Sequence, residues 1–462
     1  MSGTKAEKIK NDVLKRYMER TKKSKVHNEK ARRFMPGGDT RSVGFYQPYP
    51  VFAVEGKGAY LYDSDGNEYL DFVNNMTSLV NGHIHPHVTE ALRKQLEKGT
   101  VHGLPVEPMY QLAELLCQRT PSMDSLRFTN TGSEATLFAM RAARGYTGKD
   151  KFIKIDGGYH GNHDFAQVNL FPDMTTQGLP QPTVTKGIPS SVLKDMLVTP
   201  FDDLETTEKL LKENQGDVAA IILEPVIGTG GGIPGSKAYL QGLRQLADQY
   251  DALLIFDEII SFRLHEGGYQ SIVDVKPDLT TLGKIIGGGF PIGAFGGRRE
   301  IMEIFNPMLP DSITHSGTFT GNAMTMTAGL ANMEIFKQKE IDDLNKQGEI
   351  FAAGLRQALT DTGIVGQIRD LGSMTMVQFS DREIKNARDV VRGFMSYGEL
   401  MKFFHLEMMN RGVYFLHRGM FSLCTPMTET DLNKAITLFK ETLEMLKPLA
   451  DEVSQKEASF KF

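Results

Sequence analysis

Short apolar runs that alternate with helix-patterned segments constrain this chain more than any other feature. Ser125–Thr129 reads as a strand, and 134–146 follows it as a helix rich in Ala, Met and Arg. Further strand-like runs lie at 152–155, Val218–Leu223 and 253–256. Between the last two, Leu240, Leu243, Leu246, Ala247 and Tyr250 fall on one helical face. A strand that is apolar at nearly every position, rather than at every second one, has to be covered on both faces. That requirement points to an α/β fold, a mainly parallel sheet flanked by helices.

The pattern differs at both ends. Residues 1–33 read as a basic amphipathic helix with Ile9, Val13, Leu14 and Tyr17 on one face, expected to pack as an arm on the same protein. Residues 56–67 read as a hairpin whose turn is Asp65-Gly66. After about residue 336, helices mix with strand-like pieces such as 374–379. A final helix there carries Leu432, Ile436, Phe439, Leu443 and Leu446 at helical spacing. The expected division is 1–87 as arm and part of a smaller α+β unit, 88–335 as the large unit, and 336–462 as the rest of the smaller one.

The chain has 462 residues, a net charge of −5 and only two cysteines, Cys117 and Cys424. Mild acidity makes no electrostatic case for nucleic acid, and two cysteines imply no disulfide framework. No apolar run approaches the ~20 residues of a membrane span. The Lys-rich N-terminus lacks an apolar signal core, so the expected compartment is the cytoplasm.

Several motifs carry chemistry. Lys284 follows Asp278-Leu279-Thr280-Thr281-Leu282-Gly283 and precedes the glycines Gly287-Gly288-Gly289, and Asp257 closes the apolar run 253–256. A lysine able to form a Schiff base, with a carboxylate at a strand mouth to face a pyridinium nitrogen, is how proteins hold pyridoxal phosphate. The turn Thr129-Asn130-Thr131-Gly132-Ser133-Glu134 joins a strand to a helix start. Its free N–H groups and the Ser133 hydroxyl suit a phosphate, although an unliganded Ser N-cap reads the same way. Gly157-Gly158-Tyr159-His160-Gly161 follows the strand at 152–155, where an aromatic such as Tyr159 can stack on a flat ring; His160 is as consistent with a structural role as with a catalytic one.

Two further patterns are weaker. His83-Ile84-His85-Pro86-His87 has proline in its middle and no acidic neighbour in sequence, so a turn is expected rather than a metal cluster. The run 230–235 satisfies G-x-G-x-x-G, but Pro234 interrupts it and a loop is expected.

Taken together, Phe128-Thr129-Asn130-Thr131-Gly132-Ser133-Glu134-Ala135, Gly158-Tyr159-His160-Gly161, Glu224-Pro225, Phe256-Asp257-Glu258, Thr281-Leu282-Gly283-Lys284 and Ser316-Gly317-Thr318-Phe319-Thr320-Gly321-Asn322 resemble the class III aminotransferases, pyridoxal phosphate enzymes of fold type I. Within that class the likeness is greatest to β-amino acid (β-phenylalanine-type) transaminases and glutamate-1-semialdehyde aminomutases. The resemblance implies a seven-stranded, mainly parallel sheet in the large unit and a homodimer. It implies Lys284 as the cofactor lysine and Asp257 as the ring-nitrogen partner. Glu224 joins the cofactor site, Tyr159 and Ile259 lie on the two ring faces, and Gly132 and Ser133 hold the phosphate with Thr318 from the other subunit. Arg41, within 35–46, matches an arginine that receives a substrate carboxylate, and Arg418 one that grips a keto-acid carboxylate.

Two departures matter. Aminomutases read D-E-V-M-T-G-F-R where this chain has Asp257-Glu258-Ile259-Ile260-Ser261-Phe262-Arg263, one residue shorter. Ornithine- and GABA-type members carry a glutamate gate where this chain has Thr229. The implied activity is transfer of an amino group from an amino acid, expected to be a β-amino acid, to a keto acid such as 2-oxoglutarate or pyruvate. Aminomutase-type isomerisation and broad amine transamination are the alternatives.

Overall fold

A computed structural model describes residues 4–175, 178–228 and 230–460, the side chains of 458–460 excepted. Its central sheet has seven strands, in the order Ser125–Thr129, Gly293–Gly297, Leu279–Gly283, Leu253–Asp257, Val218–Leu223, Lys151–Ile155 and Met196–Thr199. Neighbours from Leu279–Gly283 to Met196–Thr199 pair in parallel. Gly293–Gly297 alone runs against its two neighbours. The strands Val218–Leu223 and Leu253–Asp257 are buried at every residue, as expected for a sheet covered on both faces. Gly293–Gly297 carries no strand pattern in the sequence because glycine is a poor strand former. The two strands it joins impose its conformation.

On this sheet pack Gly132–Thr147 and Lys237–Gln249, while Ala323–Ile335 packs on the segment that begins at Lys284. A second sheet joins Ala53–Lys57, Tyr60–Asp63 and Glu68–Asp71 to Val413–Tyr414 from the far end of the chain. A third comprises Gln367–Leu371, Met374–Gln378 and Met420–Ser422. The turn containing Asp65-Gly66 links Tyr60–Asp63 to Glu68–Asp71, with Gly66 at φ 88°.

The N-terminal arm corrects one expectation. It forms two helices, Lys5–Arg20 and Lys22–Ala31, rather than one. Thr21 leaves helical geometry (φ −123°, ψ 38°) and the Asp65 carboxylate takes over as the cap of the second helix. Its oxygens accept from the N–H groups of Lys23 at 2.6 Å and Ser24 at 2.9 Å. A carboxylate across the N-terminal turn of a helix satisfies otherwise free donors and complements the dipole. The first helix packs on Ala387–Asn410 and Glu429–Phe460 and buries Val13 and Tyr17, the latter against Tyr46 and Tyr49. No helix among the described residues is long and apolar enough to cross a membrane.

Candidate active site

The chemistry-bearing residues gather at the carboxyl ends of neighbouring strands. Leu279–Gly283 delivers Lys284, Leu253–Asp257 ends on Asp257, Val218–Leu223 leads into Glu224, and Lys151–Ile155 leads to Tyr159 and His160. That edge of a parallel sheet is where chain connections diverge and a crevice opens for a ligand.

Asp257 is buried and fixed from three directions. His160 Nδ1 lies 2.8 Å from Oδ2, while Thr281 Oγ1 (3.0 Å) and the Ile259 N–H (3.2 Å) donate to Oδ1. His160 is buried too, and its Nε2 has no protein partner. A neutral ring that donates through Nδ1 leaves only a lone pair unmatched at Nε2, which costs less than an unmatched N–H. Burial pushes the His160 pKa down, in keeping with that neutral form.

Glu224 accepts from the N–H groups of Tyr159 (2.9 Å) and Gly228 (3.1 Å). It thereby ties the aromatic loop to the next strand. Burial, reinforced by Asp257, pushes its carboxyl up to about 8. Lys284 has φ 52°, a left-handed conformation that costs a non-glycine residue energy and tends to persist at functional sites. Burial lowers its amine to about 8, against the opposing pull of Glu224 and Asp257, and Arg263 lowers it further. The three glycines beyond it serve close packing. A Cβ on Gly288 would come within 2.3 Å of the Ala328 carbonyl oxygen, so the helix Ala323–Ile335 can approach the lysine segment only if that residue is glycine.

At the strand Ser125–Thr129, the helix Gly132–Thr147 begins. Its N-cap is Thr131, whose side chain accepts from the Glu134 N–H; Ser133 is not the cap. The N–H groups of Gly132 and Ser133 are left without an intrahelical acceptor, at the positive end of the dipole. The Ser133 hydroxyl accepts from the Asn162 N–H at 3.1 Å. Gly161 packs so closely on Ser133 that a Cβ there would lie 2.4 Å from its Oγ, so the phosphate-type turn and the Tyr159 loop form one surface. Ile259 lies over Gly132 and Gly283.

The other candidates lie apart. Thr318 is exposed in a turn whose neighbour Thr320 accepts from Asn130 Nδ2 at 3.3 Å. Arg41 borders a cavity of about 440 Å³ lined also by Tyr46, Asn75, Met76 and Tyr414. Arg418 lines a separate crevice with Phe379, Tyr397 and Met401 and is not drawn into the Lys284 cluster. Thr229 lies outside the described residues. Of the histidine run, His83 bonds Asp71 at 2.8 Å, His85 precedes the helix Pro86–Leu96 and His87 faces Glu334 at 3.4 Å. The acidic neighbours missing from the local sequence come from elsewhere in the chain. The 230–235 run is a turn that leads into the two-residue strand Ile233–Pro234, which pairs with Val226–Ile227, so a loop describes only its first part.

Three residues escaped the sequence reading. Lys154, fully buried, donates to the carbonyl oxygens of Gly158 (2.6 Å) and Val168 (2.8 Å), bracing the loop that carries Tyr159 and His160. Its signal was a lysine inside an apolar strand. Thr281 opens the Thr281-Leu282-Gly283-Lys284 motif, but nothing in that motif marks a role for its hydroxyl. Arg263 is buried and, among the described residues, bonded only to neutral acceptors, Ser373 Oγ, Ser422 Oγ and the carbonyls of Thr77 and Leu423. Burial lowers it to about 10.

A lysine amine of lowered basicity, a carboxylate locked at a strand end and free helix N–H groups fit, in turn, the aldehyde, ring nitrogen and phosphate of pyridoxal phosphate. Fold and site together define a pyridoxal phosphate-dependent enzyme of fold type I. The family model for Aminotransferase class-III matches residues 44–443, and the chain belongs to that family. A glutamate-1-semialdehyde 2,1-aminomutase of Methanothrix thermoacetophila is 42% identical over 352 residues, 76% of this chain and 80% of the relative. An omega-transaminase from Sphaerobacter thermophilus is similar in structure, with a TM-score of 0.87 and 39% identity over 92% of this chain and 97% of its own. The beta-phenylalanine aminotransferase of Variovorax paradoxus gives 0.86 at 33% identity, over 94% and 97%.

Proposed function

We propose that this chain is an aminotransferase that takes the amino group of a β-amino acid and passes it to an α-keto acid such as 2-oxoglutarate or pyruvate, working as a cytoplasmic homodimer. The observation that carries this reading is Arg41. Its guanidinium is hydrogen-bonded by a neutral residue, Asn75, at 2.9 Å on the border of a cavity, which leaves a cation available for a carboxylate. A β-amino acid held through its nitrogen places its carboxylate one carbon further out than an α-amino acid does. A receptor separate from Arg418 is then needed.

When bound, pyridoxal phosphate supplies an aldehyde that condenses with amines and a ring that withdraws electron density from the substrate carbon. Lys284 would hold that aldehyde and, as a free amine, would take the proton from the substrate carbon and deliver it to the cofactor's aldehyde carbon, the shift that amino transfer requires. Only the neutral amine can do so, and its burial favours that form. Asp257 holds a proton on the ring nitrogen, positioned by His160 and Thr281. Tyr159 and Ile259 cover the ring faces, Glu224 steadies the Tyr159 loop, and Gly132 and Ser133 hold the phosphate. Thr318 is exposed beside the similarly exposed Phe319, which suits service to the phosphate of a second copy. Arg418, in its separate crevice, is assigned the keto-acid carboxylate on the family resemblance alone.

The test is a two-substrate assay. We expect turnover to need both a β-amino acid and a keto acid, with ping-pong kinetics, from a species that sediments as a dimer. Arg418→Ala should chiefly raise KM for the keto acid, because carboxylate grip is largely uniform binding. The similarity to aminomutases favours a second reading, isomerisation of glutamate-1-semialdehyde. Conversion of that compound without any keto acid would establish it instead.

A further inference from the structure

Four consecutive residues, Asn74, Asn75, Met76 and Thr77, have φ of 47°, 49°, 56° and 71°. They make a full left-handed turn without a glycine. Each such residue is disfavoured by contact between Cβ and backbone, and the β-branched Thr77 most of all. A turn of this kind persists only where its surroundings over-determine it.

Those surroundings are specific. Asp71 Oδ1 accepts from the N–H groups of Val73 and Asn74, both at 2.9 Å. Asn74 Nδ2 donates to the Ser422 carbonyl at 2.6 Å. The buried Arg263 donates to the Thr77 carbonyl at 3.3 Å and to Ser422 Oγ at 2.6 Å, joining the turn to the same C-terminal strand. The turn also packs against the segment that begins at Lys284.

The turn settles the orientation of one amide. The Ser78 hydroxyl gives its single proton to the Asn75 carbonyl at 2.9 Å, so toward Asn75 Nδ2, 3.0 Å away, it can only accept. That places the NH₂ end of the Asn75 amide on Ser78 and turns Oδ1 toward Arg41 Nη1. Three carboxylates border the same cavity, but among the described residues none forms an ion pair with the Arg41 guanidinium. Asp71 holds His83, Asp63 holds Tyr69, and Asp39 accepts from the N–H groups of Thr40 and Arg41. Arg41 is therefore oriented without being neutralised.

Resting on the reading of Arg41 above, we propose that the left-handed turn Asn74–Thr77 is the specificity element of this enzyme. Asn75 is the positioning residue that holds Arg41 to receive a donor carboxylate, and Arg263 locks the turn in place. The strain is retained because a relaxed turn would not direct Oδ1 at the guanidinium.

The experiment uses the holoenzyme and three variants, Asn75→Gly, Asn75→Asp and Arg41→Ala. Glycine adopts φ 49° without penalty, so Asn75→Gly should fold with Tm equal to or above wild type. It should raise KM for 3-amino-3-phenylpropanoate, and Kd for the non-reacting carboxylate 3-phenylpropanoate, about tenfold. Kinetics with 1-phenylethylamine, in which a methyl replaces the carboxymethyl group, should be unchanged. Asn75→Asp should do the same more severely, by placing a competing carboxylate on Arg41. If Asn75→Gly slows both donors alike, or neither, while Arg41→Ala affects only the carboxylate donor and ligand, the role of the turn is overturned and that of Arg41 stands. If Arg41→Ala also treats them alike, both fall. Failure of wild type to bind 3-phenylpropanoate would overturn both as well.

Discussion

The Lys284 cluster and the cavity that Arg41 borders are built on different principles. On the Lys284 side, Asp257, Glu224, Tyr159 and Lys284 each follow the end of a strand in one parallel sheet, so their relative positions are inherited from backbone pairing. On the Arg41 side the wall is collected from 39–46, 71–79, Tyr414 and, through Arg263, the segment around Ser422. It is held by side-chain hydrogen bonds to a strained turn. A sheet edge tolerates little change without refolding, whereas a wall of loops can be re-cut residue by residue. The rigid side suits chemistry common to a family, and the assembled side suits selection among substrates.

The largest effect should come from the rigid side. Lys284→Ala should lower turnover by about 10⁴-fold, the upper range for a positioned general base, while cofactor still binds through its phosphate. Retained full-rate catalysis would remove Lys284 from the mechanism. Next, Asp257→Asn should cost about 2.7–4 kcal/mol of transition-state stabilisation, as loss of other preorganised electrostatic groups does. Rates within tenfold of wild type would show that the carboxylate does not serve the ring nitrogen. Both changes should act on every donor equally.

The assembled side should behave otherwise. Arg41→Ala should reduce kcat/KM for a β-amino acid by about 10–100-fold, in line with ~1.5–3 kcal/mol for a charged hydrogen bond, and spare a carboxylate-free amine. Equal losses for the two donors would erase the distinction between the two regions. The smallest effect is one of pH. Because burial lowers the Lys284 amine from its usual 10.5 to about 8, the neutral form gains as pH rises through 8. Capture of pyridoxal phosphate by the apoprotein, followed by absorbance, should climb up to tenfold per unit below pH 8 and level off above it. The same shift has a stability sign. Between about 8 and 10.5 the unfolded chain binds more protons at this site, so Lys284 contributes stability that grows as pH rises through that window. A rate that keeps climbing to pH 10.5 would mean that the amine is not desolvated.

Legibility followed the same divide. The strands Ser125–Thr129 and Val218–Leu223 were readable to the residue because both are short and bounded by turns, and the second is apolar throughout. Asp257 and Lys284 were readable because each closes or follows such a run. Gly293–Gly297 was not, since neither composition nor periodicity marks a strand whose conformation its neighbours impose. The break at Thr21 depends on Asp65, more than forty residues along the chain. Ser133 looked like a cap, but the observed cap is Thr131, a register that only the φ/ψ of the turn reveals.

Local order was enough to determine the class of fold and the residues at the strand ends, because parallel pairing of apolar strands admits few arrangements, and the family resemblance of the motifs there supplied the cofactor. The left-handed geometry of Asn74–Thr77, the partners of Arg263 and the orientation of Asn75 toward Arg41 were decided only by the tertiary structure. Each depends on atoms supplied by distant segments, and a conformation that is unfavourable locally leaves no local signature. The strain is offset only by contacts that exist once the chain has folded.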